Sequence, residues 1–275
     1  MRTLLDIENV GCAADCEVWR FVPTKFALDL FTPNPYQPDS GRIQTRSFCL
    51  RLSQVASFRE GEKADPNESK LPDVIRSALQ LSINAGPGRD FIETLLVAIE
   101  EQAKNVYASC WFNAGNRSQE LRMWEKYGGG SEGGIAIVST VEKLVASLLE
   151  INEARLFGIG RVQYIPRNLT FDESFKLGPY TSYPFLLKLS GEKARHEHDQ
   201  EVRLYVRKYL LTSSHAQPTK AHIYVPFNPV QMINSIKLSP LCSAPVQQDI
   251  RNKIIERIPI GERPLREWLN SKFIV

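Results

Sequence analysis

The sequence predicts an α+β fold, with mixed or antiparallel sheets and flanking helices. Short stretches of period-two alternation recur from Glu17 to Leu238, and helical periodicity interrupts them without a regular strand–helix–strand rhythm. The 275 residues are 43% hydrophobic and 24% charged, the composition of a globular chain. At ~150 residues per domain this length suits one large domain or two small ones. No Gly/Ser/Pro hinge divides the chain. The expectation is therefore one domain over 1–275, with a helical insertion at about 70–105.

The elements follow in order. Glu17-Val18-Trp19-Arg20-Phe21-Val22 reads as a strand, and Pro23 and Thr24 open a short helix through Phe31. Pro33, Pro35 and Pro38 mark a loop. Arg46 to Ser53 reads as a strand with Phe48, Leu50 and Leu52 on one face. Arg59 to Lys70 is a charged surface loop, and Leu71–Ile83 and Arg89–Lys104 are amphipathic helices. Val106–Phe112 is a strand, and Ser118–Tyr127 a helix that Gly128 ends. Ile135–Val138 is a buried strand, and Ser139 with Glu142 has the spacing of a capping box opening a helix to about Asn152. Leu156–Ile165 is a strand, and Pro184–His196 is read as a helix leading to a strand at Glu201–Arg207. Strands at Ile223–Phe227 and Ile233–Leu238, a helix at Val246–Arg257 and a short element from Arg263 complete the chain.

Several function classes are disfavoured. The net charge of +3 is too small to argue for nucleic acid by itself. No apolar run reaches the ~18 residues of a membrane span, and the first residues lack the long apolar stretch of a signal peptide. A cytoplasmic protein without a membrane partner is expected. The five cysteines are an odd number, and Cys12 and Cys16 have no second pair to complete a zinc site, so reduced thiols are expected. His196-Glu197-His198 lacks the spacing of a zincin helix, and no metal is expected.

The strand at 201–207 is the most informative segment. Val202, Leu204 and Val206 alternate with Glu201, Arg203 and Tyr205, with Asp199 just before. This polar ladder is either a solvated sheet face or one wall of a polar cleft. Trp124 and Tyr127 read first as core residues of a short helix, and Ser139 as its neighbour's N-cap. Five glycines between Gly128 and Gly134 read as a flexible connector, or as a loop whose backbone approaches a ligand.

Taken together, Val106-Tyr107-Ala108-Ser109-Cys110-Trp111-Phe112, Met123-Trp124 with Tyr127, Gly134-Ile135-Ala136-Ile137, Gly160-x-Val162-x-Tyr164 and His198-Asp199-x-Glu201-x-Arg203 resemble a known pattern. It is that of a widespread bacterial family catalogued as domain of unknown function twenty-nine seventy-one. The resemblance runs from about residue 17 to 272. The chain departs from it at Asp199, where the family usually has Glu. A more distant resemblance is to the Arg-Ser-Glu ADP-ribosyltransferases, with Arg20, Ser139 and Asp199-x-Glu201 in the matching order. That resemblance implies a split sheet sandwich and NAD as substrate. It implies Glu201 and Asp199 as catalytic residues, and Arg20, Ser139, Trp124, Tyr127, Arg203 and His198 as residues contacting NAD. Arg20 would pair with the pyrophosphate as a fork, and Glu201 would stabilise the charge that develops as nicotinamide leaves. A toxin or phage-defence effector is then expected, with a protein or nucleic-acid acceptor and an antitoxin or partner protein. Two other readings stand beside it: a non-enzymatic nucleotide or nucleic-acid sensor domain, and a metal-dependent nuclease using His198, Asp199 and Glu201. The transferase reading requires Glu201 in an open cleft, Arg20 facing that same cleft, and the 127–134 loop at its mouth as a lid.

Overall fold

The structure, a computed structural model, describes residues 7–31, 48–59, 104–114, 119–149, 157–166, 183–190, 200–207, 222–259 and 261–274, with Arg76, Ser77, Leu81, Thr94, Val97 and Gln102 in between. Those six are helical. The fold is α+β.

The described elements run β1 (Glu8–Val10), β2 (Glu17–Pro23), α1 (Thr24–Leu30), β3 (Phe48–Gln54), β4 (Val106–Asn113), α2 (Glu120–Tyr127), β5 (Gly134–Thr140), α3 (Val141–Leu149), β6 (Phe157–Arg161), β7 (Gln163–Pro166) and β8 (Leu187–Ser190). They continue with β9 (Glu201–Arg207), β10 (His222–Phe227), α4 (Pro229–Met232), β11 (Ser235–Leu238), α5 (Ala244–Arg257), α6 (Arg263–Lys272) and β12 (Phe273–Ile274). Ten of the strands form one mixed sheet, and β7 and β8 pair in parallel as a second, two-stranded one.

The large sheet branches at β4. Along one edge, β9 pairs with it antiparallel from Val106↔Arg207 to Phe112↔Glu201, and β6 and then β1 extend that side. The other edge is shared. Tyr107 and Ala108 pair with Gln54 and Ser53 of β3, whereas Phe112 and Asn113 pair with Trp19 and Val18 of β2. Ser109, Cys110 and Trp111 pair with neither branch. From this fork, β2 leads on to β5, β11 and β12, and β3 leads to β10.

Successive side chains on a strand point to opposite faces, so the register assigns each residue a side. One face carries Val18, Val22, Trp111, Ile135, Ile137, Val202, Leu204 and Val206, and on it lies the main core, with residues of α1, α3 and α5 closing over it. The other face carries Trp19, Phe112, Cys110, Glu201 and Arg203. It is covered in patches. Trp19, Phe112, Met123 and Val138 cluster beneath α2, and Val106, Ala108, Phe185 and Tyr205 form a second cluster farther along.

Two expectations are corrected. The helix expected from Pro184 is a 3-10 turn over Pro184–Leu186 that passes directly into β8. The proline starts the turn, and the next residues find a parallel partner in β7. The helix after β5 is capped one residue later than the Ser139 spacing implies. Thr140 Oγ1 accepts the Lys143 N–H at 3.3 Å, while the Ser139 hydroxyl donates to the Met232 carbonyl at 2.6 Å. Strand β1 and helix α4 are too short to leave a periodic signal and escaped the reading of the sequence.

Candidate functional site: a cleft at the sheet fork

Where β2 and β3 diverge from β4, the sheet leaves a cleft of about 300 Å³. One wall is Arg20, Phe21, Val22 and Pro23 of β2 with Phe26, Asp29 and Leu30 of α1. The other is Cys49, Arg51 and Ser53 of β3 with Tyr224 of β10, whose register partner is Arg51. Phe48, Leu50 and Leu52 are drawn into the main core, so Arg51 is forced to the side where the cleft opens. Arg20 points to the opposite side of the sheet from Trp19 and Phe21. In a continuous sheet such residues could not meet; the gap between the branches lets both arginines reach one space.

The two arginines of this cleft are held by hydrogen bonds and aromatic rings. Arg20 donates from Nη1 to the Ser109 hydroxyl and from Nη2 to the Arg51 carbonyl at 3.1 Å. The buried Arg51 Nε has no hydrogen-bond partner. The Arg51 guanidinium lies 5.6 Å from the centre of the Phe26 ring, and that of Arg20 lies 5.9 Å from Trp111. Neither arginine is ion-paired with a carboxylate among the described residues. Burial lowers the Arg20 guanidinium to about 10, an effect that Cys110 opposes and Arg51 reinforces, so it remains cationic at neutral pH. Phe26 and Tyr224 are partly exposed, at 42% and 38%, and present ring surface at the cleft. Burial pushes the Cys49 thiol up to about 12, so it is no thiolate nucleophile. Two guanidiniums without an ion-pair partner among the described residues, with aromatic rings beside them, suit an anion attached to a planar group.

Glu201 stands elsewhere. Its strand pairs with the other edge of β4, and it does not line the fork cleft. The expectation of an open cleft around Glu201 is not met: the residue is 6% exposed. Its Oε2 accepts from Lys188 Nζ at 2.6 Å, and its Oε1 accepts from Arg203 Nε at 2.7 Å. Arg203 also donates to the Phe185 carbonyl. Burial by itself would raise the Glu201 carboxyl, but Arg203 and Lys188 outweigh it and hold the group well below the usual carboxylate range. Cys110 stands beside this cluster, where desolvation and the Glu201 charge push its thiol far up. The polar ladder of β9 is thus neither a solvated face nor an open cleft wall. Glu201, Arg203 and Tyr205 are as buried as the apolar residues between them.

The remaining candidates divide in the same way. Arg20 and Glu201 lie on opposite faces of the sheet, because Trp19 aligns with Phe112 and Phe112 with Glu201. The shared cleft expected of them is absent. Ser139 is wholly buried and ties β5 to α4. Trp124 is also buried, with its ring edge-on to Phe21 at 4.8 Å, one layer behind the cleft wall. Tyr127 packs against the cluster beneath α2. The glycine loop lines no part of the cleft. It packs against the end of β2, where Gly133 O accepts from both N–H and hydroxyl of Thr24 at 3.3 and 2.9 Å. Gly129 holds a φ of +82°, and a Cβ at Gly134 would stand 2.5 Å from the Val22 carbonyl oxygen. These glycines serve close backbone approach. Asp199 and His198 lie outside the described residues.

Reading the sequence missed Phe26, Asp29, Arg51 and Tyr224 as site residues. Arg51 did carry a signal, a lone charge inside an alternating apolar strand. Tyr224 carried none, since its place depends on β10 pairing with β3 across more than 160 residues of chain. Among the described residues, no group of three or more His, Cys, Asp or Glu is placed to hold a metal ion, and no helix is long and apolar enough to cross a membrane. Compared with family models, curated proteins and solved structures, the chain matches none.

Proposed function

We propose that this protein binds a nucleotide in the cleft at the sheet fork, with Arg20 and Arg51 on the phosphate and Phe26 or Tyr224 against the base. The observation that carries the reading is the pair of guanidiniums in one cleft, neither ion-paired with a carboxylate among the described residues, one of them with a buried, unpartnered Nε. An arginine built only for packing is normally satisfied by a carboxylate or by carbonyls, because leaving a buried donor unmade is costly. A phosphate would satisfy both groups through charge-assisted, fork-shaped hydrogen bonds. The volume of about 300 Å³ lies at the lower end for small-molecule pockets and accommodates one mononucleotide, free or as half of NAD.

The reading is one of binding and not of group transfer. In an ADP-ribosyl transfer the acid must meet the ribose, and both oxygens of Glu201 are already held by Lys188 and Arg203. The test is thermal unfolding of the full chain with NAD, AMP, adenosine or inorganic phosphate. A ligand selective for the folded state raises Tm with concentration. NAD and AMP are expected to do so, and adenosine or phosphate alone to do so far less. No shift with any nucleotide at millimolar concentration overturns the proposal.

A further inference from the structure

We infer that the nucleotide taken up at the fork is a ribonucleotide, and that the carboxylate of Asp29 reads its sugar hydroxyls. This rests on the nucleotide reading above and narrows it to one ligand class.

Asp29 lines the same cleft as Arg20 and Arg51. Its carboxylate has neither an ion-pair nor a hydrogen-bond partner among the described residues, although two guanidiniums share the space with it. Placement along the cleft explains this. Arg20 is anchored at the root, on Ser109 of β4. Arg51 comes next, against Phe26. Asp29 follows Phe26 by one helical turn on the same side of α1, so its Cβ lies roughly 5–6 Å beyond that of Phe26. Asp29 is exposed and so stands on the solvent side of the cleft. The cleft thus runs from cationic donors, past an aromatic ring, to one acceptor-only group. A nucleotide has the matching sequence of groups: phosphate oxygens that accept, then a sugar whose hydroxyls donate.

The position of Asp29 on its helix supports a ligand role. It occupies the last turn of α1, where backbone carbonyls carry the negative end of the helix dipole, and that turn contains no basic residue. An acid there works against its own helix. A carboxylate kept unpaired at the unfavourable end of a helix, facing a cleft, is suited to accepting hydrogen bonds from a ligand. The pairing of an acidic side chain with ribose hydroxyls is a general solution for nucleotide sugars.

The test is titration calorimetry of the full chain with AMP and with 2′,3′-dideoxy-AMP, repeated on Asp29→Asn and Asp29→Ala. Losing a hydrogen bond to a charged group predicts about tenfold weaker binding of the dideoxy nucleotide to the wild-type protein. Both variants are expected to bind the two nucleotides equally, and to unfold at the same temperature as the wild type or higher. Equal binding of both nucleotides to the wild type overturns the ribose inference and leaves the nucleotide reading standing. A preference that persists in both variants overturns the role of Asp29. Binding of neither nucleotide to the wild type removes the nucleotide reading, and this inference with it.

Discussion

Two groups of charged side chains flank β4, and they are built in opposite ways. On the β9 side, Glu201, Lys188 and Arg203 make a closed set in which both carboxylate oxygens are bonded within 2.7 Å and no residue is more than 6% exposed. On the fork side, Arg20 and Arg51 share a cleft with Asp29, and none of the three is ion-paired among the described residues. The difference is one of saturation. A buried charge fully met by protein groups has nothing left to offer a ligand, and its removal exposes its partners. A cation left unmet in a cleft keeps its donors for something that arrives from solution. The residue types at both places are those of a catalytic or binding site, so residue type alone does not distinguish them.

The sharpest way to break this comparison is Glu201→Gln. If the β9 set is structural, the substitution removes the carboxylate that meets the buried Lys188 and Arg203 and costs about 3–5 kcal/mol of stability. Urea unfolding measures it. A variant as stable as the wild type that had lost nucleotide affinity would reverse the assignment of the two regions.

Acid supplies the same break without mutation. The Glu201 carboxyl is lowered in the folded state from an ordinary value of 4.5. Its contribution is therefore complete above about pH 4.5 and is lost as pH falls through the depressed folded value. Between pH 7 and 5 this group should leave stability unchanged. Below about pH 4 the wild type should lose stability with a steeper slope than Glu201→Gln. Parallel slopes for the two proteins would show that the carboxyl is not ion-paired in solution.

Arg51→Gln tests the fork in the complementary sense. The arginine stands near a like charge and makes no ion pair among the described residues, so unfolding should shift by no more than about 0.5 kcal/mol, as for a substitution away from packed or paired groups. Affinity for AMP should fall by roughly 10- to 100-fold, the value of about 1.5–3 kcal/mol for hydrogen bonds to charged groups. A large loss of stability with unaltered binding would place Arg51 among the structural charges.

The smallest effect expected is that of salt. Raising ionic strength from about 0.05 to about 0.5 M screens a charge that stands in a solvent-filled cleft far more than one sealed in protein. Nucleotide affinity should drop several-fold, while the penalty of Glu201→Gln should hardly change. Equal sensitivity of both would mean that the β9 set is as open to water as the fork.

Much of the fold was legible in the sequence. The strands at β2, β3, β4, β5 and β9 stand within a residue or two of the positions that alternation implies, because a strand with one face in a core must place its apolar residues at every second position. The same alternation put Val202, Leu204 and Val206 toward the main core. It failed at their neighbours. Glu201, Arg203 and Tyr205 were read as facing solvent or a cleft, since period two records only that the two faces differ. Phe185 and Phe58 close over Arg203 from outside the sheet, through the Phe185 carbonyl and a ring 5.4 Å from the guanidinium. No local pattern in β9 announces that cover.

The sequence by itself determined where the strands run, which side of each is apolar, and that Arg20 and Arg51 are lone charges inside apolar strands. Tertiary structure alone decided what those charges became. It did so because pairing between distant segments sets the neighbours across a sheet. The edge of β4 is divided between β2 and β3, and that division opens the space in which arginines from opposite faces meet. On the other edge β9 pairs along its full length, and there the same kind of residues are closed off from solvent.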